Sequence, residues 1–360
     1  MAVVAVVGGP GAPGATTTAL ALLLSWPLPP GRKVLLAECD PDGGAVLAGA
    51  LEGRVDAVYG LRNLAVADRR GLLAQTVWEQ LVDLSPEGTA ERLLLPGLTD
   101  PAQAPGLAYT WEPLADTFQA LDGQGYDVIV DLGRSGATGP GAVLARRADV
   151  VVATVRTTLR GLSAARPRLA ALRDDLESAG PGADALGLLP VGEGPYPLAE
   201  AARELGVSAL GLLPYAPRTA RVLSDGGDTA DRRFVRSELM RTVRSAADRI
   251  QEVAARRRQR LAPQAQPYPQ PQPYPQPQAQ PYPQAQAQPY PQPAAAPAPG
   301  PVLGPVTPRQ PWAPVPDPQP VGFPQHIAPP AVPQPPAPAP FPPPDRQQPQ
   351  NGYGEVLRAR

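Results

Sequence analysis

Residues 9–16 read G-P-G-A-P-G-A-T. A phosphate-binding loop is spaced Gly, four residues, Gly, Lys, then Ser or Thr. Its glycines let backbone N–H groups cradle phosphate oxygens, its lysine reaches the β- and γ-phosphates, and its hydroxyl is a ligand of Mg²⁺. Gly9, Gly14 and Thr16 hold three of these positions, and Ala15 stands where the lysine belongs. With Gly11 and Thr17 alongside, the candidate nucleotide-binding residues are Gly9, Gly11, Gly14, Ala15, Thr16 and Thr17. The stretch keeps the backbone cradle and drops the charge, which argues against simple fast ATP hydrolysis.

Three acidic residues complete the constellation. Asp131 closes the apolar run Tyr126 to Val130, the place from which a carboxylate holds Mg²⁺ through water in phosphate-loop enzymes. Glu38 and Asp40 follow a second apolar run, where a switch loop could order the metal and the attacking water. The candidate metal ligands are therefore Thr16, Asp131 and Glu38, and the candidate catalytic residue is Asp40. An aspartate at a strand end is common by itself. The succession of glycine loop, E-x-D-P-x-G and strand-ending aspartate is more specific.

The elements that must position these residues can be read from apolar periodicity. Ala2 to Val7 is a short run rich in β-branched residues, as a buried parallel strand should be. Thr16 to Trp26 reads as a helix ended by Pro27. Strand, glycine loop and helix aim backbone N–H groups at an anion; without the downstream acids the same residues would read as an ordinary Gly/Pro-rich turn. Lys33 to Ala37 and Arg92 to Leu95 read as strands, with Asp68 to Leu84 helical between them. Thr110 to Leu121 is a helix carrying Trp111, Leu114, Ala115 and Phe118 on one face. Further strands are expected at Asp149–Val155, Ala185–Pro190 and Ala209–Pro214, and a helix at Leu159–Leu176. This alternation predicts an α/β fold: a single P-loop NTPase domain, its mostly parallel sheet covered by helices on both faces, over residues 1–260.

Composition sets the other boundary. Of the 53 prolines in the 360-residue chain, 34 lie between Pro263 and Pro349, and only Arg309, Asp317, Asp345 and Arg346 are charged between Leu261 and Gln350. Such a stretch buries too little apolar surface to offset chain entropy, so residues 261–360 are expected to form a disordered tail rich in Pro, Gln, Ala and Tyr. Its imperfect Q-P-Y-P-Q repeat, centred on Tyr268, Tyr274, Tyr282 and Tyr290, favours extended spacer or ligand-strip behaviour. The closing Tyr353 to Arg360 reads as a short docking motif or a solvated terminus.

Cys39 is the only cysteine and His326, in the tail, the only histidine, which excludes a disulfide framework and any His-based triad or zinc site in the folded part. The N-terminus lacks a basic leader, and no apolar run approaches the roughly 20 residues of a spanning helix. The expected location is cytoplasmic, with peripheral membrane contact as an option. That option comes from the helix expected over Asp231 to Leu261, whose stripe Val235, Leu239, Val243, Ala247, Ile250 and Ala254 should pack on the sheet. Its ten arginines between Arg232 and Arg260 end in Arg256, Arg257, Arg258 and Arg260. They read either as a solvated face or as a patch for anionic membrane, DNA or an acidic partner.

Taken in order, these motifs resemble the MinD/ParA family of deviant P-loop ATPases over about residues 1–255. The family loop Lys-Gly-Gly-x-Gly-Lys-Thr-Thr is matched by Pro10 to Thr17, with the signature lysine replaced by Pro10 and the loop lysine by Ala15. The family's D-x-D-P resembles Glu38 to Pro41, and its D-x-P-x-G resembles Asp131 to Ser135 and Gly136 without the proline. Leu205 to Pro214 resembles the late L-G-x-x-x-x-G-x-x-P strand, and Leu223 to Gly226 the segment after it. The resemblance implies ATP and Mg²⁺ as cofactors and a homodimer. Atypical members, the TadZ/CpaE-like localisation factors of pilus assembly, tend to have degraded loops and recruit a secretion ATPase.

The departures bear on activity. A charge-assisted bond to phosphate is worth on the order of 1.5–3 kcal/mol, about one to two decades in affinity. Losing the lysine should thus weaken binding without abolishing it, and should harm hydrolysis more. Arg134 either supplies part of that charge or faces solvent or an acidic neighbour. The expected function is spatial positioning or assembly (pilus or secretion apparatus, septum, chromosome partitioning) with weak or no ATP hydrolysis. Alternatives are an active partitioning or septum-site ATPase, a tyrosine-kinase relative, and a nucleotide-independent scaffold.

Overall fold

The computed structural model of the chain describes residues 2–9, 11, 14–56 and 58–261. Pro10 and the expectations for the tail beyond residue 261 lie outside the described residues. The elements run β1 (Val3–Val7), α1 (Ala15–Ser25), β2 (Lys33–Glu38), α2 (Leu61–Asp68), α3 (Leu73–Glu79), β3 (Val82–Asp83), β4 (Arg92–Leu95), α4 (Trp111–Ala120), β5 (Tyr126–Asp131) and α5 (Ala142–Arg146). There follow β6 (Val150–Ala153), α6 (Leu159–Ala179), β7 (Leu186–Leu188), β8 (Val191–Gly192), α7 (Leu198–Leu205), β9 (Ser208–Ala209), β10 (Leu213–Pro214), α8 (Pro217–Ser224), α9 (Arg232–Val235) and α10 (Glu238–Leu261).

Eight strands form one sheet in the order β3-β4-β2-β5-β1-β6-β7-β9, parallel throughout except for the β3–β4 edge pair. A separate parallel pair joins β10 to β8. β1 lies between β5 and β6, with Val6 beside Asp131 on one side and Val152 on the other. The sheet is buried on both faces because alternate residues of each central strand serve different cores. Val3, Ala5 and Val7 pack with residues of α2 to α7. Ala2, Val4 and Val6 pack with α1, α8, α9 and α10. This two-sided burial is why β1 reads as an unbroken apolar run rather than an alternating one.

Several expected elements are redrawn. The helix expected over residues 68–84 is two short helices, α2 and α3, followed by edge strand β3. Residues 209–214 split between the ends of two different sheets, β9 and β10. The C-terminal helix is broken at Arg236 and Ser237 between α9 and α10, which leaves Val235 exposed while Phe234 turns inward. From Leu239 onward the expected stripe is buried, with Val243, Ala247 and Ile250 fully so.

Candidate nucleotide-binding site

The site is built at the carboxyl ends of β1, β2 and β5, where an open parallel sheet places its ligands. β1 ends at Val7, and the Gly8 N–H donates to the Gly133 carbonyl at 2.7 Å, tying the glycine loop to the turn after β5. Gly14 then takes a left-handed conformation, φ 90° and ψ 41°, and opens α1. A side chain is disfavoured there, which is the local reason for glycine at this position. The first turn of α1 carries no acidic residue and no side-chain cap, so its N–H groups and the positive end of its dipole are left for an anion.

A cavity of about 260 Å³ at this helix start is lined by Gly14, Ala15, Thr16, Thr17, Asp40, Gly133 and Arg134. The structure thus brings together most of the nucleotide-binding candidates and the catalytic candidate Asp40. Gly9 and Gly11 lie in the loop outside this lining, and Gly11 has a positive φ of 85°. A second cleft, about 360 Å³, opens from Gly14 and Thr17 on the other side. Its apolar walls include Val191, Leu213, Pro214, Tyr215, Leu239 and Val243, with Arg156 and Arg221 at the rim.

Asp131 sits beneath the loop, fully buried. Its Oδ1 accepts the Gly133 N–H at 3.0 Å, while its Oδ2 has no hydrogen-bond partner. Burial pushes this carboxyl up to about 7, while the nearby Thr16 hydroxyl acts in the opposite direction without closing a bond on Oδ2. An orphaned buried oxygen beside a hydroxyl is what a hydrated divalent cation would satisfy. Thr16 and Asp131 therefore fit Mg²⁺. Asp40 is largely buried, its Oδ1 accepts the Asp42 N–H at 2.9 Å, and burial raises its pKa while Arg134 lowers it.

Glu38 is bonded to the backbone. Its Oε1 accepts the N–H groups of Ala45 and Val46 at 2.5 and 2.9 Å, and its Oε2 accepts that of Gly97 at 3.0 Å. The buried carboxylate uses these three bonds to pin the β2 loop against the turn after β4. Sequence placed it in the right motif, but a motif does not say which way a carboxylate turns. Among the described residues no cluster of three or more His, Cys, Asp and Glu could hold a metal alone.

The arginines that end α10 are paired within the fold. Arg257 is buried and donates to the Asp149 and Pro181 carbonyls while pairing with Asp184. Arg258 pairs with Asp149 at 2.5 Å and Asp122 at 3.4 Å, Arg260 with Asp184 at 2.7 Å, and Arg256 with Glu252 at 3.1 Å. Arg257, Arg258 and Arg260 clasp α10 to the segments before β5, β6 and β7, while Arg256 pairs within the helix. Gly133 and Tyr215 line these cavities although the sequence did not single them out; of the two, only Gly133, inside the D-x-G stretch, carried a signal.

The fold defined by this sheet and loop is found in solved MinD/ParA-family ATPases. A ParA family ATPase from Chlorobium tepidum TLS matches with a TM-score of 0.52 at 18% identity, over 68% of this chain and 98% of that one. The septum site-determining protein MinD complexed with Mg-ADP from Pyrococcus horikoshii OT3 matches at 0.52 and 16%, over 71% and 98%. A Cyanothece McdA–ATP complex matches at 0.50 and 16%, over 71% and 96%. No protein-family model matches the sequence, and no curated protein matches it. The chain has the MinD/ParA-like fold; at these identities the likeness shows the fold alone.

Proposed function

We propose that this chain is a nucleotide-binding positioning or assembly protein with a degenerate phosphate loop, binding Mg²⁺-ATP weakly and hydrolysing it little or not at all. The observation that carries the reading is the orphaned Asp131 Oδ2 beneath a helix start whose N–H groups face a cavity shared by Thr16, Thr17 and Asp40. The Mg-ADP and ATP complexes of two proteins of like fold support the choice of ligand. In this reading Gly14 to Thr17 hold the phosphates, Thr16 and Asp131 hold the cation that supplies charge neutralisation, and the apolar cleft by Pro214 and Tyr215 receives the base. Asp40, which lines the same cavity, would orient water, but Ala15 leaves the developing negative charge without the loop's cation.

A TadZ/CpaE-like role, in which a homodimer marks a site and recruits a secretion ATPase through the Pro/Gln/Tyr-rich segment, follows from the degraded loop and that segment's composition. An active partitioning or septum-site ATPase is the alternative, and the two part on turnover. Phosphate release under saturating Mg²⁺-ATP should stay near background. Turnover near one per second or faster, ordinary for an enzyme, would favour the active ATPase.

A further inference from the structure

We propose that Arg134 supplies the cation that the loop lacks at Ala15, and that Asp42 holds it while no anion is bound. The ligand class is a nucleoside di- or triphosphate, so the inference rests on the nucleotide-binding reading above.

Arg134 lines the same small cavity as Ala15, Thr16 and Thr17. Its backbone is anchored on both sides: the adjacent Gly133 carbonyl accepts from Gly8, and the Arg134 carbonyl accepts from Arg168 at 3.1 Å. Its side chain, by contrast, is 56% exposed and meets Asp42 Oδ2 only at 3.6 Å. So exposed and long a pair contributes little, less than a charge-assisted bond to a phosphate oxygen. Asp42 also accepts the Ser135 hydroxyl at 3.0 Å on that same oxygen, so it keeps a partner when the guanidinium leaves. Exchange of Arg134 from Asp42 to a phosphate therefore strands no buried charge.

Other cations are worse placed. Lys33, the only lysine, starts β2 with its ammonium over the Tyr126 ring, at the end of the sheet away from Asp131. Arg156 lines the apolar cleft and is bonded to Glu193. Arg134 alone among these shares a cavity with Ala15.

The test is calorimetry of the full chain with Mg²⁺-ADP and, separately, Mg²⁺-pyrophosphate. The variants are Arg134→Gln, Asp42→Asn, Ala15→Lys and the Ala15→Lys/Arg134→Gln double. Arg166→Gln, whose side chain pairs with exposed Glu204 on α7, controls for net charge. Arg134→Gln should weaken binding at least tenfold, Asp42→Asn should tighten it, and Arg134→Gln should matter little once Lys stands at position 15. Thermal melts of each variant establish that the fold is kept. Binding by Arg134→Gln within twofold of wild type, or an equal loss in Arg166→Gln, would overturn the proposal. A silent wild type overturns both this proposal and the nucleotide reading, whether or not Ala15→Lys binds; a wild type that binds while Arg134→Gln binds equally well overturns this proposal alone.

Discussion

The carboxylate of Asp40 occupies the space where a side chain on Gly133 would be: a Cβ built on Gly133 would lie 1.7 Å from Asp40 Oδ2, and Gly133 has a φ of +55°. The contact locks the β2 loop to the turn after β5 and fixes the floor of the cavity. Gly133→Ala must therefore displace Asp40 or the turn, and accept a strained backbone besides. A loss of about 1–3 kcal/mol is expected, measured by urea unfolding, together with weakened nucleotide binding. Unchanged stability would mean that Asp40 moves aside freely.

Asp131 ties stability to pH. Its folded pKa of about 7 lies above the ordinary value of 3.8, so the folded state holds the proton longer. Its contribution is complete below about pH 4 and is lost as pH rises toward 7. Asp131→Asn should raise the unfolding free energy at pH 8 by up to about 4 kcal/mol and change it little at pH 4. Glu38 and Asp40 are also raised, so the quantity to read is the difference between wild type and variant at each pH. Equal differences at both pH values would place the proton elsewhere.

The arginine clasp separates by burial. Arg257→Ala removes two bonds to carbonyls and the pair with Asp184 from a buried position, and should cost about 2–4 kcal/mol. Arg256→Ala removes one exposed pair and should stay within about 0.5 kcal/mol. Urea midpoints compare them directly. Cosedimentation with anionic vesicles should be weak for wild type at physiological salt, because each of the four arginines already has an acidic partner within the fold.

These outcomes mark what the sequence could and could not tell. The central strands were legible because Val3–Val7 is apolar throughout and Val128–Val130 is an apolar run inside a fully buried strand, and the glycine loop because its spacing is tied to phosphate chemistry. The clasp was not, because Asp122 and Asp149 lie 136 and 109 residues from Arg258. A run of like charge gives no sign of partners so distant. The partners of Glu38 were hidden for a related reason: its three backbone donors come from loops whose paths the sequence does not specify.

Truncation after Leu261 should leave the folded part intact: among the described residues, both cores are built within residues 2–254. The unfolding midpoint should move by no more than a few degrees. A large loss of cooperativity would show that the Pro/Gln-rich segment packs on the domain.

The central claim is that a phosphate loop without its lysine still binds a nucleotide. Titration of wild type and Ala15→Lys with Mg²⁺-ATP, read by calorimetry, tests it most directly. The account predicts measurable heat for wild type, dependent on Mg²⁺, with an affinity about one to two decades below that of Ala15→Lys. No heat from wild type would contradict it, whether or not Ala15→Lys binds; silence in both would leave a scaffold that uses the fold without the nucleotide.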